Sequence, residues 1–254
     1  MKLIRLVIIA SLLAGCASSG GGSKGTPQLD RTRAQTSARL HTELAASYYE
    51  RTQYAIALQE IDVALRADEK YPPAYAMRAL VRMALREDMQ ADADFRRSLE
   101  LDSSNSETHN NYGWFLCQRG RAKESLGQFQ EAVKNPLYAT PETAYVNLAV
   151  CSRKAGEMKD VENNLQRALI LRPGMPEALY GLADYSFDNG DFAGAKSYFL
   201  RFAQVISELD AEQLWLAVRI ERKMKDRNSE ASYALQLRKR FPTSRETQLL
   251  SQGE

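Results

Sequence analysis

The stretch SETHNNYGWFLCQRGRAKESLGQFQEAVK, at residues 106–134, has the pattern of a helical hairpin. It predicts one helix from Ser106 through Gln118, a turn at Gly120 and a second helix from about Lys123 to Lys134. A single hairpin of this kind cannot bury its apolar face by itself, because that face needs neighbouring helices to cover it. Similar units are therefore expected before and after it.

The spacing of small and large residues in this stretch resembles that of a tetratricopeptide unit, which is about 34 residues long. In that unit helix A packs against helix B through small residues at positions 8, 20 and 27 and a large residue at position 24. Counted from Ser106, positions 7, 8, 11, 20, 24 and 27 are Tyr112, Gly113, Leu116, Ser125, Phe129 and Ala132. The resemblance implies that the hairpin is one repeat of a series.

The same spacing recurs on both sides. Steps of 34, 34, 36, 34 and 36 residues separate the unit starts, which are Ala38, Pro72, Ser106, Glu142, Pro176 and Glu212. Position 8 is small in the first five units, at Ala45, Ala79, Gly113, Ala149 and Ala183, and Arg219 interrupts the series in the sixth. Position 20 carries Ala57, Ala91, Ser125, Val161, Ala195 and Ala231, and position 24 carries Ile61, Phe95, Phe129, Leu165, Phe199 and Leu235.

Glycines and prolines distinguish this repeat from a generic helical pattern with apolar residues every three or four positions. Gly120, Gly156 and Gly190 all fall at position 15, where helix A must turn into helix B. Seven of the eight prolines lie at or near unit boundaries, where a helix can start or must stop: Pro72, Pro73, Pro136, Pro141, Pro173, Pro176 and Pro242. The predicted fold class is all-α, a right-handed superhelical solenoid of six tetratricopeptide repeats over residues 31–254.

Residues 1–15 have the composition of an export signal. Lys2 and Arg5 give a positive start, and residues 6–13 form an apolar run. This run is too short to span a bilayer stably, since roughly 20 residues are needed. We therefore expect the segment to be removed and to take no part in the fold.

A lipid anchor is expected directly after this signal. Residues 13–16, LAGC, resemble the lipobox of bacterial lipoproteins, in which the signal is cleaved before the cysteine and its thiol carries the lipid. The resemblance implies that Cys16 is the anchor, and that Ala17, in place of an aspartate, directs the protein to the periplasmic face of the outer membrane. A plain secretory signal containing a cysteine is the alternative. Residues 16–30 are rich in glycine and serine and predict a flexible tether with a reach on the order of 20 Å.

Charge and motif content argue against several functions. The chain has 34 Lys and Arg against 32 Asp and Glu, and removal of Lys2 and Arg5 leaves 34 − 2 = 32 against 32. A balanced chain offers no net positive charge for nucleic acid. There is no phosphate-binding glycine loop, no nucleophile elbow and no grouping of metal ligands, so no enzyme, cofactor or metal is expected. The acidic pairs Asp92/Asp94 and Asp188/Asp191 lie near A to B turns and are interpreted as helix caps.

Cys117 and Cys151 lie on the A helices of adjacent units, which pack side by side. An exported protein occupies a compartment in which disulfides persist, so a bond between them is one expectation. Two small, buried, free thiols are the other. The Cα atoms must lie within roughly 7 Å for a disulfide. An enzyme that uses either cysteine as a redox thiol is a third hypothesis, which would require an exposed thiolate of low pKa.

A peptide-binding groove is expected on the concave face. In tetratricopeptide proteins this face is lined by positions 2, 5, 9, 12 and 13 of helix A. Several of these positions are large and apolar here, as exposed interaction surfaces often are. The candidate groove residues are Tyr49, Leu80, Met83, Asn110, Trp114, Val150, Arg153, Tyr180, Phe187 and Ile220. Trp114 is the preferred anchor for a partner. Alternatively, the curvature of the solenoid buries part of this strip between neighbouring A helices.

The lipobox, the tether and the six repeats together resemble the PilW/PilF family of outer-membrane lipoproteins of type IV pilus biogenesis, also called pilotins. Residues 110–117, NNYGWFLC, and 232–242, SYALQLRKRFP, carry the resemblance most specifically. It implies an adaptor that helps the secretin, the ring through which the pilus crosses the outer membrane, to assemble or remain assembled. Its partners would be secretin subunits or other pilus components. The alternative is a lipoprotein scaffold in outer-membrane protein insertion or cell-wall synthesis.

Overall fold

The structure is a computed structural model that describes residues 27–253. Within this range the backbone forms thirteen α-helices and no β-strand. They are α1 (Pro27–Glu50), α2 (Tyr54–Ala67), α3 (Pro72–Ala84), α4 (Asp88–Leu101), α5 (Ser106–Gln118), α6 (Ala122–Lys134), α7 (Pro141–Ala155), α8 (Val161–Leu171), α9 (Pro176–Asp188), α10 (Phe192–Val205), α11 (Ala211–Met224), α12 (Arg227–Arg240) and α13 (Arg245–Gln252). None of these helices is both long and apolar enough to cross a bilayer.

The first twelve of these helices form six A and B pairs, as the repeat predicts. Each A helix packs on its own B helix, and in units one to four it also packs on the A helix of the next unit. The hairpin at residues 106–134 has the predicted boundaries, with its second helix starting one residue earlier, at Ala122. The all-α tetratricopeptide solenoid is thereby confirmed. The short α13, which the repeat pattern does not predict, packs against α11 and α12 and covers the last unit with Leu250.

Every A helix ends in the same backbone motif. Position 15 is left-handed in all six units, with φ between 58° and 81°, at Thr52, Arg86, Gly120, Gly156, Gly190 and Lys225. The N–H of the following residue donates to the carbonyl five residues back, as Arg121 does to Leu116 at 2.9 Å. This arrangement satisfies carbonyls that a helix end leaves unpaired, and glycine adopts it with least strain. The three glycine turns were predictable, whereas the three residues with side chains gave no such signal.

Lys225 also corrects the register of the sixth unit. With Lys225 at position 15, the unit starts at Ala211, one residue earlier than predicted. Position 8 is then Val218, which is fully buried, and Arg219 moves to position 9. Ala231, which set the predicted register, is exposed. The prediction that Arg219 occupies position 8 and breaks the series of small residues is therefore wrong, because position 8 holds the larger Val218 instead.

The start of the helical domain also differs from the prediction. Helix α1 begins at Pro27, so residues 27–30 are helical instead of belonging to the tether. Proline is favoured in the first turn of a helix, and Asp30 in that turn complements the positive end of the helix dipole. Cys16, the rest of the predicted tether and the predicted signal at residues 1–15 lie outside the described residues.

Small residues at the helix crossings set how closely the two helices of a pair approach. Gly113 of α5 packs against the ring of Phe129 from α6, and a Cβ at Gly113 would lie 2.8 Å from the Cε1 atom of Phe129. Real Cβ contacts are not that short, so even alanine would force the two helices apart. This close approach positions the face of α5 that carries Trp114.

Candidate functional site

A large cavity lies on the face formed by the A helices of units three to five. It has a volume of about 590 Å³ and is bordered by α5, α7 and α9, the end of α10 and the start of α11. Its apolar lining residues are Trp114, Val146, Val150, Tyr180, Phe202 and Ile206. Its charged lining residues are Arg153, Lys154, Glu177 and Asp184. We refer to this space as the main cavity.

A second cavity shares Trp114 with the main cavity. The second cavity has a volume of about 380 Å³ and includes Tyr49, Met83, Trp114 and Arg119 in its lining. Trp114 borders both cavities, so they lie next to each other along the A helices of units one to five. We call the combined space the A-helix groove.

Six of the ten predicted groove residues are thus brought together, at Tyr49, Met83, Trp114, Val150, Arg153 and Tyr180. Asn110 is not accessible, because it is only 5% exposed and accepts a hydrogen bond from Asn147 at 3.0 Å. Leu80 packs into the cores of units one and two. Both residues follow the alternative expectation, in which neighbouring A helices bury part of the strip.

Ile220 and Phe187 are the other two predicted groove residues that do not line the cavities. Ile220 is 1% exposed and belongs to the core shared by units five and six, so its assignment to the groove is wrong. The cause is the register shift in unit six, which puts Arg219 at the groove position. The guanidinium carbon of Arg219 lies 4.6 Å from the centroid of the Phe187 ring and covers it.

Phe202, Ile206 and Gln213 are among the lining residues that sequence reasoning missed. Phe202 occupies position 27 of unit five, where the repeat expects a small residue. Its ring packs 5.3 Å from that of Tyr180, so the exception at position 27 was the available signal. Ile206 follows the end of α10 and has no repeat position that would place it in the groove.

Ion pairs hold the carboxyl-terminal ends of α7, α9 and α11 together. Arg153 donates to Asp184 at 2.7 Å and to Asp188 on the same helix. Arg219 approaches Asp184 at 3.8 Å from the other side. Lys154 instead lies with its Nζ atom 5.9 Å from the centroid of the Trp114 ring. These contacts give the wall of the main cavity a fixed arrangement of charge.

The hydroxyl of Tyr180 is kept neutral. It donates a hydrogen bond to Glu212 at 3.2 Å. Burial, followed by the negative charges of Glu212 and Asp184, raises the pKa of Tyr180 well above its usual range. The side chain therefore offers an apolar ring to the cavity and a neutral donor at its edge.

A disulfide lies directly behind the groove. Cys117 of α5 and Cys151 of α7 are bonded, with their Cα atoms 5.9 Å apart. Of the alternatives considered from the sequence, the structure shows the bonded form. Since a bonded pair offers no thiolate, a redox-thiol enzyme has no support in this structure. Trp114 lies one helical turn before Cys117, and Val150 is the neighbour of Cys151, so the bond fixes two sides of the main cavity relative to each other.

The site as a whole is suited to binding a polypeptide. Cavities of about 300–1,000 Å³ with apolar walls and a few fixed polar groups are typical of binding sites. Within residues 27–253, no three His, Cys, Asp or Glu side chains are grouped as a metal site. The groove has the size and chemistry to take several side chains of an extended or helical segment.

Comparison with known proteins first defines the class. A tetratricopeptide-repeat family model matches residues 153–207, which lie in units four and five. The chain is therefore a tetratricopeptide-repeat protein, in agreement with its fold and its groove.

More similar proteins define the particular family. The crystal structure of PilW, described as a widely conserved type IV pilus biogenesis factor, is 33% identical, has a TM-score of 0.77, and is matched over 84% of this chain and 97% of PilW. The type IV pilus assembly protein PilF of Pseudomonas aeruginosa is 28% identical over 95% of this chain and 94% of its own length. A solved structure of Pseudomonas aeruginosa PilF has a TM-score of 0.82, with 28% identity over 88% of this chain and 99% of that one. The chain belongs to the PilW/PilF family.

Proposed function

We propose that this protein is an outer-membrane-anchored adaptor of type IV pilus biogenesis, which promotes assembly or stability of the secretin by binding a segment of a secretin subunit. Membership of the PilW/PilF family supports the pilus role. The observation that carries the binding role is the main cavity, in which Trp114, Val150 and Tyr180 present apolar surface beside fixed charges. Apolar surface of this kind usually marks an interaction site.

The proposed lipid anchor holds the protein at the membrane surface where its partner assembles. Cys16 carries the lipid, and the following tether lets the helical domain reach partners at the same membrane surface. Restricting both partners to one surface raises their effective concentration by orders of magnitude over free solution. Even modest binding in the A-helix groove then suffices to hold a secretin subunit until neighbouring subunits join it.

Replacing Cys16 by alanine tests the anchor. Without the lipid the protein should remain folded but lose its concentration advantage, so we expect secretin multimers to fall by about tenfold or more at equal protein level. The measurement is the ratio of secretin multimer to monomer in isolated envelopes, with circular dichroism of the purified variant as the folding control. Normal multimer levels at equal expression would contradict the anchored role.

Replacing Trp114 by alanine tests the groove. Trp114 borders both cavities, and truncating a central aromatic anchor typically lowers affinity by about 2 kcal/mol or more, which is about thirtyfold. We expect the wild-type protein to recover the secretin from detergent-solubilised envelopes and the Trp114→Ala variant to lose it. Leu235→Ala is a matched control, because Leu235 is 66% exposed on α12 and borders neither cavity.

The outcomes of this recovery experiment separate the alternatives. If both the wild type and Trp114→Ala recover the secretin, the secretin remains the partner but binds outside the groove. Enrichment of porin-assembly or cell-wall proteins in place of the secretin would favour the lipoprotein scaffold instead. Loss with Leu235→Ala as well would show that the variants act through the fold.

A further inference from the structure

Arg153 and Lys154, two neighbouring cations at the main cavity, differ in whether they form ion pairs. Arg153 is already engaged by two carboxylates, Asp184 and Asp188. Lys154 is the next residue, lies in the last turn of α7 and is exposed. Among the described residues no carboxylate oxygen lies within 4 Å of its Nζ atom, which lies 5.9 Å from the centroid of the Trp114 ring. An ammonium group with free donors thus lies beside the preferred aromatic anchor.

A second cation at the same end is also incompletely satisfied. The Nε atom of Arg219 is buried and has no hydrogen-bond partner within residues 27–253, and its Nη2 atom is 3.8 Å from Asp184. Asp184 and Asp188 are thus approached by Arg153 and Arg219, and Lys154 remains without a carboxylate partner among the described residues. The remaining carboxylate of the lining, Glu177, lies at the opposite end of α9, about 10 Å further along the helix axis than Asp184.

The shape of the groove indicates which kind of chain it accommodates. Because Trp114 borders both cavities, the second cavity, lined by Tyr49 and Met83 of units one and two, lies next to the main one beyond Trp114. An occupant of the main cavity can run on in that direction and need not end there. A side-chain carboxylate within a continuous segment fits this geometry better than a chain terminus does.

We propose that the A-helix groove selects an internal segment of a partner protein in which an apolar side chain is followed closely by an aspartate or glutamate. The apolar side chain enters the main cavity against Val146, Val150 and Tyr180. The carboxylate accepts a hydrogen bond from the Lys154 ammonium above Trp114. The proposal rests on the protein-binding role of the groove given above and names the chemistry that the groove recognises.

Charge-matched peptide libraries test this selectivity. The probes are three sets of fluorescent twelve-residue peptides that share fixed leucine positions and carry, at the neighbouring positions, Asp and Glu, their amides Asn and Gln, or Lys and Arg. Binding to the purified full chain in detergent is measured by fluorescence anisotropy. We expect the acidic set to bind about fivefold more tightly than the amide set, since exposed ion pairs contribute modestly. High salt should remove this difference, because it screens exposed charges.

Two substitutions locate the selectivity. Lys154→Glu should abolish the preference for acidic peptides and favour the basic set, and Lys154→Gln should make the acidic and amide sets equal. Lys239→Glu, which makes the same charge change on the exposed surface of α12, should leave the preference unchanged. Equal binding of the acidic and amide sets by the wild type, or the same response to Lys154→Glu and Lys239→Glu, would overturn the proposal.

The results also separate this inference from the proposed function. Peptide binding without a charge preference would overturn the inference and leave a protein-binding groove. Absence of binding by all three sets would overturn both the inference and the groove. A clear acidic preference together with normal secretin recovery by Trp114→Ala would support the inference and reject the secretin as the occupant of the groove.

Discussion

Replacing Asp94 by alanine is expected to destabilise the protein by about 3–5 kcal/mol, because it would leave two arginines without their shared partner. The Asp94 side chain is only 5% exposed. It accepts two hydrogen bonds from Arg78, both at 2.8 Å, and one from Arg82 at 2.7 Å. The interactions run between α3 and α4, so they join the two helices of unit two. Asp94 is therefore the central acceptor of this hairpin.

The expected destabilisation arises because the guanidinium groups of Arg78 and Arg82 are partly removed from water and would lose the carboxylate that compensates for this. Arg78 and Arg82 are 21% and 25% exposed, so solvent can replace only part of what Asp94 supplies. Hydrogen bonding to Asp94 raises the pKa of Arg78, which stays charged in either case. Substituting Asp94 thus leaves a repulsive pair of guanidinium groups at the interface of the two helices.

Urea unfolding followed by circular dichroism would measure this effect. Glu100→Ala is the matched control, since Glu100 pairs with Arg97 on the surface, where both side chains are largely exposed. Exposed pairs of this type contribute up to about 1 kcal/mol, so the control should shift the unfolding midpoint little. Equal shifts for Asp94→Ala and Glu100→Ala would show that the buried network does not contribute as argued.

The role of Asp94 in pairing with two arginines could not be predicted from the sequence. Its position near an A to B turn suggested a helix cap, an interpretation that holds for Asp191, which accepts from the N–H of Gly194 at 2.9 Å. Asp94 lies in the interior of α4, which begins at Asp88, so that interpretation is wrong. The repeat places Asp94 on a helix, but only the three-dimensional packing shows that it faces Arg78 of the preceding helix.

The repeat itself was predictable because its signals are local. Small residues at fixed spacing, glycine at three turns and proline at helix starts each follow from backbone sterics, and together they specify the hairpins. Unit six was displaced by one residue because Lys225 occupies a left-handed turn that glycine usually marks. Because of this shift, Arg219 lies at the groove position and not at position 8. Ile220, which was predicted for the groove, is buried in the core.

The groove was predicted in part for a related reason. Positions on A helices follow the repeat, so Trp114, Val150, Arg153 and Tyr180 could be assigned to one face. The contribution of Phe202 and the pairing state of Lys154 could not, since both depend on how neighbouring units pack against each other. The chemistry that distinguishes one tetratricopeptide groove from another thus lies mainly in contacts between units.

Removing the disulfide is expected to have a comparable effect on stability, and it also bears on the groove. Cys117 and Cys151 are separated by 34 residues, and closing a loop of this length in the unfolded chain corresponds to about 4 kcal/mol in the chain-entropy model. Both residues are almost completely buried. Alanine is the suitable replacement, because serine would bury a hydroxyl group in an apolar cluster with Phe129 and Leu148.

The experiment compares the Cys117→Ala/Cys151→Ala variant with the wild type under oxidising and reducing conditions. The oxidised wild type should be the most stable, and the reduced wild type should approach the double variant. Equal stability of the oxidised and reduced wild type would contradict a structural role for the bond.

The same three samples connect the disulfide to binding. The bond joins α5, which carries Trp114, to α7, which carries Val150 and Lys154. Without the bond, the two helices should move relative to each other. A bound segment must then order them, and this entropic cost should lower the affinity for the acidic peptide set. Because units contact only their neighbours, this effect should be confined to units three and four and the groove between them. Oxidising conditions would then supply both the stability of these units and a preorganised binding site.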